Sequence, residues 1–159
     1  PTGLPPPALI NLTFTSSSLL STRGSARRRA APAAGSLNLT LPTPPTPTLP
    51  ADDAIGVNSD TSFTWTSPNG GGVDYVTFTV DGWTIYRYTT THSTTLPDLS
   101  DYGVFLTAGA AGTWFVTFEA PASSVDEAIE FESKLFGHSW DVEDASIASS
   151  DTFKFELAQ

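Results

Sequence analysis

Period-two alternation of apolar and hydroxylated residues constrains this chain more than any other feature. In Thr61-Ser62-Phe63-Thr64-Trp65-Thr66 two large rings are separated by single threonines. Successive side chains of a strand point to opposite faces, so Phe63 and Trp65 are predicted to go inward while Thr64 and Thr66 meet solvent. The pattern returns three times. Tyr75–Val80 places Val76, Phe78 and Val80 on one face, Thr113–Ala120 places Trp114, Val116 and Phe118, and Thr152–Leu157 places Phe153, Phe155 and Leu157. Half-buried strands of this kind need a second layer to cover their apolar faces, which predicts an all-β, antiparallel sandwich.

The turns between these runs carry their own chemistry. Asp81-Gly82 between Tyr75–Val80 and Trp83–Tyr88 predicts a β-hairpin over Asp74–Thr90. Asn69-Gly70-Gly71-Gly72 must reverse the chain, and Leu96-Pro97-Asp98-Leu99-Ser100 closes the threonine-rich extended segment around His92. Ala51–Val57 reads as a turn and a short edge segment. One helix interrupts the pattern. Ser124-Val125-Asp126-Glu127 has the form of a capping box, with Ala128, Ile129, Leu135 and Phe136 at helical spacing, and Gly137 ends it, so a short helix is expected near 125–135.

Charge and proline divide the chain. The first 50 residues hold four arginines and no acid, a formal +4, whereas residues 51–159 hold three basic and 17 acidic residues, a formal −14. Between them Pro42–Pro50 has five prolines in nine residues, which predicts a stiff polyproline-type linker. Three units follow: a strand pair with a basic polar loop at 1–41, the linker at 42–50 and the sandwich at 51–159. In the first, Leu9–Thr15 and Leu37–Leu41 read as the strands. Ser16–Ser36, with Arg27-Arg28-Arg29, reads as a solvated loop. An isolated hairpin is marginal in water, so this pair is expected to add to the sandwich or to belong to a preceding domain. A strand tethered by a stiff linker is also readily donated, and strand exchange with a neighbouring copy is a further expectation.

The acidic major part argues against nucleic acid as a partner, because like charges repel. With no cysteine there is no disulfide framework, zinc–thiolate site or thiol nucleophile. Methionine is absent and the chain opens Pro1-Thr2-Gly3, which suggests a fragment or a processed form. The two Asn-Leu-Thr triplets at 11–13 and 38–40 match a glycosylation sequon but lie in expected strands.

Three sets of residues carry candidate chemistry. Trp83 and Trp140 lie at a turn and in a loop, and Tyr86 and Tyr88 share a face of one strand. Exposed rings of this kind stack on sugars or dock proteins, which makes Trp83, Tyr86, Tyr88 and Trp140 the candidate ligand-binding residues. Tyr75 joins the two tyrosines as a cross-strand aromatic patch. Asp141, Glu143 and Asp144 offer closely spaced oxygens of the type hard calcium prefers, as do Asp52, Asp53 and Asp60, although neither set matches a defined calcium loop. Calcium is the only cofactor these residues suggest. His138 lies between Gly137 and Ser139-Trp140-Asp141, but sequence neighbours cannot form a nucleophile–imidazole–carboxylate relay, and no phosphate loop, dinucleotide fingerprint or nucleophile elbow is present. No catalytic residues are assigned.

The pieces Leu49–Val57, Phe63-Thr64-Trp65, Thr94–Leu99 and Leu106–Val116 together resemble the fibronectin type III-like, immunoglobulin-like domains of bacterial cell-surface proteins and lipoproteins. In such domains a proline precedes the first strand, a buried tryptophan sits in the second, and a leucine-proline turn precedes a strand with an aromatic just past a glycine. The resemblance covers roughly two thirds of the chain, and the segment 121–150 and the N-terminal 45 residues depart from it. It implies a non-catalytic structural, adhesive or display module, exported to the bacterial surface or periplasm, with other domains of its own protein or other surface proteins as partners. The alternative is a carbohydrate- or ligand-binding accessory module of a secreted enzyme.

Overall fold

The computed structural model describes residues 8–15, 23–30, 42–67, 71–136 and 146–159; for 8–15, 23–30 and 131–136 it describes the backbone alone. Among the described residues eleven strands and one α-helix follow in chain order, with a single 3-10 turn at Ser100–Tyr102. They are β1 (Ala8–Thr15), β2 (Arg23–Ala30), β3 (Thr46–Leu49), β4 (Ala54–Val57), β5 (Ser62–Thr66), β6 (Val73–Val80), β7 (Trp83–Thr89), β8 (Ser93–Thr95), β9 (Ala111–Ala120), α1 (Val125–Phe136), β10 (Ser146–Ser149) and β11 (Phe153–Leu157). Among the described residues the strands form two sheets. β3-β5-β8 is the smaller, and the larger is built around β9.

One flank of β9 pairs with β6 over eight residues, and β6 pairs in turn with β7. The other flank is shared, with β10 covering Thr117–Ala120 and β11 covering Ala111–Trp114. Beyond β11 lies β4, and beyond β10 lie β2 and β1. The β4–β11 pair is parallel, so the expected all-antiparallel sandwich is corrected at that edge.

The alternation of β5 is realised as written, with Phe63 and Trp65 buried and Ser62 and Thr66 exposed. Phe63 comes from the small sheet and meets three rings of the large one edge-on. Its centroid lies 4.8 Å from Phe78 of β6, 5.0 Å from Trp114 of β9 and 5.8 Å from Phe155 of β11. Each such pair contributes about 0.5–1.5 kcal/mol beyond the area it buries. Val57, Val76, Val80, Leu96, Val116 and Leu157 complete the core between the sheets. Gly112 sits beneath the Phe155 ring, where an added Cβ would stand 2.5 Å from it, so the close sheet-to-ring contact requires glycine.

The hairpin turn forms as expected. Asp81 and Gly82 both have positive φ, 52° and 79°, as a two-residue primed turn demands. The Asp81 carboxylate accepts from the Thr107 backbone N–H at 2.9 Å and its hydroxyl at 2.8 Å, which ties the turn to the loop before β9 and lowers the acid's pKa. The helix also forms at the expected place, with its capping bonds distributed over two serines. Glu127 N–H donates to the Ser124 hydroxyl at 3.2 Å, while the Glu127 carboxylate accepts from the N–H and hydroxyl of Ser123 at 2.8 and 2.7 Å.

Three segments differ from their sequence-based reading. The basic run Arg27-Arg28-Arg29 lies in strand β2 and not in a loop, paired in register with Ile10, Leu9 and neighbouring residues of β1. β2 in turn pairs with β10, so a pair other than the expected Leu9–Thr15 with Leu37–Leu41 joins the large sheet. The second half of the expected proline linker is strand β3, paired with β5. An edge strand tolerates Pro47 because its missing N–H need not face a partner. Ser146–Ser149, with one large apolar residue, is strand β10. The expected strand at Leu37–Leu41 lies outside the described residues.

Candidate functional site

The outer face of the β6–β7 hairpin carries the aromatic patch. Register places Tyr75 opposite Tyr88 and Thr77 opposite Tyr86. The Tyr75 ring lies 5.2 Å from Tyr88 at 40° and 6.2 Å from Tyr86 at 64°, so the rings lean on one another instead of forming one flat platform. Tyr88 packs with Val125 against Val73, Ala122 and Ala128, beneath the start of α1. Tyr86 is the ring left open, at 59% exposure.

Trp83 does not join this cluster. It alternates with Thr84 and Tyr86 and shares the other face of β7 with Ile85 and Arg87. Ile85 packs on the core, and Arg87 Nη1 donates to the Thr95 carbonyl at 3.3 Å, which places that face toward the small sheet. Trp83 itself is 48% exposed beyond the core, beside the Asp81-Gly82 turn. The four residues expected to bind one ligand are therefore split: Tyr86 and Tyr88 together, Trp83 on the reverse side, and Trp140 outside the described residues.

Asp141, Glu143 and Asp144 also lie outside the described residues, as do His138 and Ser139. The other acidic set has structural work. Asp52 Oδ1 accepts from the Lys154 backbone N–H at 2.7 Å and from Asp53 N–H at 3.1 Å, and Asp53 lies 3.9 Å from the Lys154 ammonium. This joins the turn before β4 to β11. Asp60 belongs to a separate turn, where its N–H donates to Asn58 Oδ1. Among the described residues no three metal-ligating side chains converge.

A buried acid that sequence reasoning passed over lies where β5, β6 and the β7–β8 connection meet. Asp74 is 5% exposed, and its Oδ2 accepts from Trp65 Nε1 at 2.7 Å, with His92 Nε2 at 3.8 Å. Its Oδ1 is buried and has no hydrogen-bond partner among the described residues. Loss of solvent raises the carboxyl's pKa, a shift opposed by the Trp65 hydrogen bond and then by the charge of His92. The signal for this site was present in the alternation itself. Asp74 holds the inward place in the series Asp74, Val76, Phe78, Val80, and a polar residue at a core position requires a partner.

Arg87 also borders an open cleft of about 330 Å³ between β7 and β8, with Ser62, Thr91, Ser93 and Thr95 along its walls. Its groups are hydroxyls and one guanidinium, a surface suited to hydrogen bonding with polar groups. No protein-family model, curated protein or solved structure matches the chain.

Proposed function

We propose that this chain is an immunoglobulin-like module of the fibronectin type III kind, serving a non-catalytic structural, adhesive or display role in an exported bacterial surface protein. The carrying observation is the path of the chain between the sheets. It leaves the small sheet at β3, turns through Leu49–Pro50 and enters the large sheet as β4, parallel to the last strand β11. β5 stands between β3 and β8 in the small sheet, and β7, β6, β9 and β11 follow one another in the large one, an order that fits this kind of domain. The exposed outer face of the small sheet supports a role in presentation. Thr46, Ser62, Thr64, Thr66 and Ser93 alternate outward there, and Thr48 and Thr64 share a hydroxyl hydrogen bond of 2.7 Å. A surface of short hydroxyls keeps a sheet face in water without a charge field.

Thermal unfolding of the whole chain with calcium, with EDTA and with a panel of soluble glycans tests the reading. A spacer or display module gives one midpoint under all three conditions. A saturable rise with a glycan marks a ligand of the native state and replaces this reading with the carbohydrate-binding one; a rise with calcium does the same for a metal-dependent module.

A further inference from the structure

Free sheet edges invite pairing, and natural proteins blunt them with prolines, bulges, lysines or brevity. The large sheet ends on one side in β1, eight residues in unbroken register with β2, of which the backbone alone is described. The other edges differ in that respect. β3 carries Pro47 and a register break between Pro47 and Leu49. β4 carries a register break and Gly56 at φ 77°. β8 is three residues long, and the Ser93 and Thr95 carbonyls already accept from Thr91 Oγ1 and Arg87 Nη1. β7 has none of these guards. Its seven residues keep unbroken register with β6, it contains no proline, lysine or carboxylate, and among the described residues it pairs on one side only.

We propose that β7 is a homodimerisation edge, at which two copies pair antiparallel about a two-fold axis through Ile85 and continue the large sheet from one copy into the other. The side chains select this register. An axis that keeps the two outer faces on the same side must pass through a residue, because directly opposed residues share a face. An axis at Arg87 would set like charges opposite each other. An axis at Tyr86 would draw in Tyr88 and Thr89, which are half-buried, Tyr88 beside α1. At Ile85 the paired stretch is Trp83–Arg87, the exposed part of the strand apart from half-buried Ile85 at its centre.

In that register Trp83 faces the partner's Arg87, Thr84 faces the partner's Tyr86, and Ile85 faces the partner's Ile85. The two-fold axis repeats each contact, so the strand is self-complementary. Arg87 spends one N–H on Thr95 and keeps its planar face for the indole. In a chain of net charge −10 this strand holds a cation and no acid, so no carboxylates are set against each other in the pairing.

Sedimentation velocity of the full chain across a concentration series should show a monomer–dimer equilibrium that stops at two. A five-residue edge belongs among small interfaces, so the dissociation constant should be on the order of 100 µM. Trp83→Ala and Arg87→Ala should each weaken it about tenfold, because each removes two symmetric contacts. The chain lacks cysteine, which makes cross-linking decisive. Thr84→Cys mixed with Tyr86→Cys should form a disulfide-linked heterodimer on mild oxidation, while neither variant alone should link. Both positions are exposed, so this arm reports even where Trp83→Ala fails to fold. A wild-type chain that stays monomeric to millimolar concentration overturns the proposal. So does growth beyond the dimer, which would mean that β7 accepts another edge such as β1, and so does equal cross-linking by either variant alone.

Discussion

At the scale of single residues, Phe63 and Asp74 show how one alternation produces both the core and a buried acid within it. Phe63 projects from β5 into the gap between sheets and meets three rings edge-on, which fixes how the sheets stack. Trp65, two positions on, goes inward as well, but its indole N–H needs an acceptor, and Asp74 supplies one at 2.7 Å. The bond satisfies the indole and leaves a carboxylate where water is scarce. Because burial raises the Asp74 pKa, the folded chain binds its proton more readily than the unfolded chain does. The acid's contribution to stability is therefore full below the unfolded value, near pH 4, and is lost as pH rises through the folded value. Asp74→Asn keeps an acceptor for Trp65 and removes the titration. The difference in unfolding free energy between wild type and variant, followed by urea denaturation from pH 4 to pH 7, should shift steadily in favour of the variant as pH rises. A difference independent of pH would show that Asp74 titrates alike in both states.

At the scale of elements, the strand opposite β9 is broken, and Ser150 repairs the break. β10 ends at Ser149 opposite Thr117 and β11 starts at Phe153 opposite Trp114, so one extra residue is accommodated in a bulge. Ser150 N–H donates to the Val116 carbonyl at 2.8 Å, and its hydroxyl accepts from Val116 N–H at 2.9 Å and donates to the Asp151 carbonyl at 2.7 Å. Ser150→Ala strands the Val116 N–H in the interior and should cost about 1–3 kcal/mol. Urea unfolding should show a lower midpoint with an unchanged slope; an unchanged midpoint would mean that another group takes over the donor. The same region shows what was legible in the sequence. β5, β6, β7, β9 and β11 were readable because each places two or more large apolar residues at period two, and the Asp81-Gly82 turn and the helix start announced themselves by residue type. β10 was not, since Ser146-Ile147-Ala148-Ser149 buries mainly Ala148 and owes its place to backbone pairing on both sides. β2 and β3 were hidden for similar reasons: arginines and prolines are poor strand formers, and only the neighbouring strand makes each of them a strand. Of the candidate sites, the tyrosine cluster followed from alternation. The placement of Trp83 apart from it required counting the strand from the turn. The pairing of Asp74 with Trp65 depends on which strands the two sheets bring together, which alternation does not encode.

At the scale of the whole molecule, sequence charge and sheet order are linked. The four arginines of the first 50 residues all lie in β2, the strand between β1 and β10 of the acidic part, so the formal +4 is held in one strand beside a unit that carries −14. Two electrostatic effects follow with opposite dependence on salt. Repulsion among the acids destabilises the compact sandwich, and attraction between the sandwich and β2 holds the N-terminal pair in place, where only the four residues Arg23–Ala26 have partners in β10. Raising ionic strength from about 0.01 M to 1 M shortens the screening length from about 30 Å to about 3 Å and weakens both. The unfolding midpoint of the sandwich should therefore rise with salt while the protection of β2 amides against hydrogen exchange falls. Exchange followed by mass spectrometry separates the two, because β2 amides report the attachment and β9 amides report the core. Parallel gains in both segments would mean that strand pairing and side-chain packing hold the N-terminal pair and that the charge division contributes nothing to it.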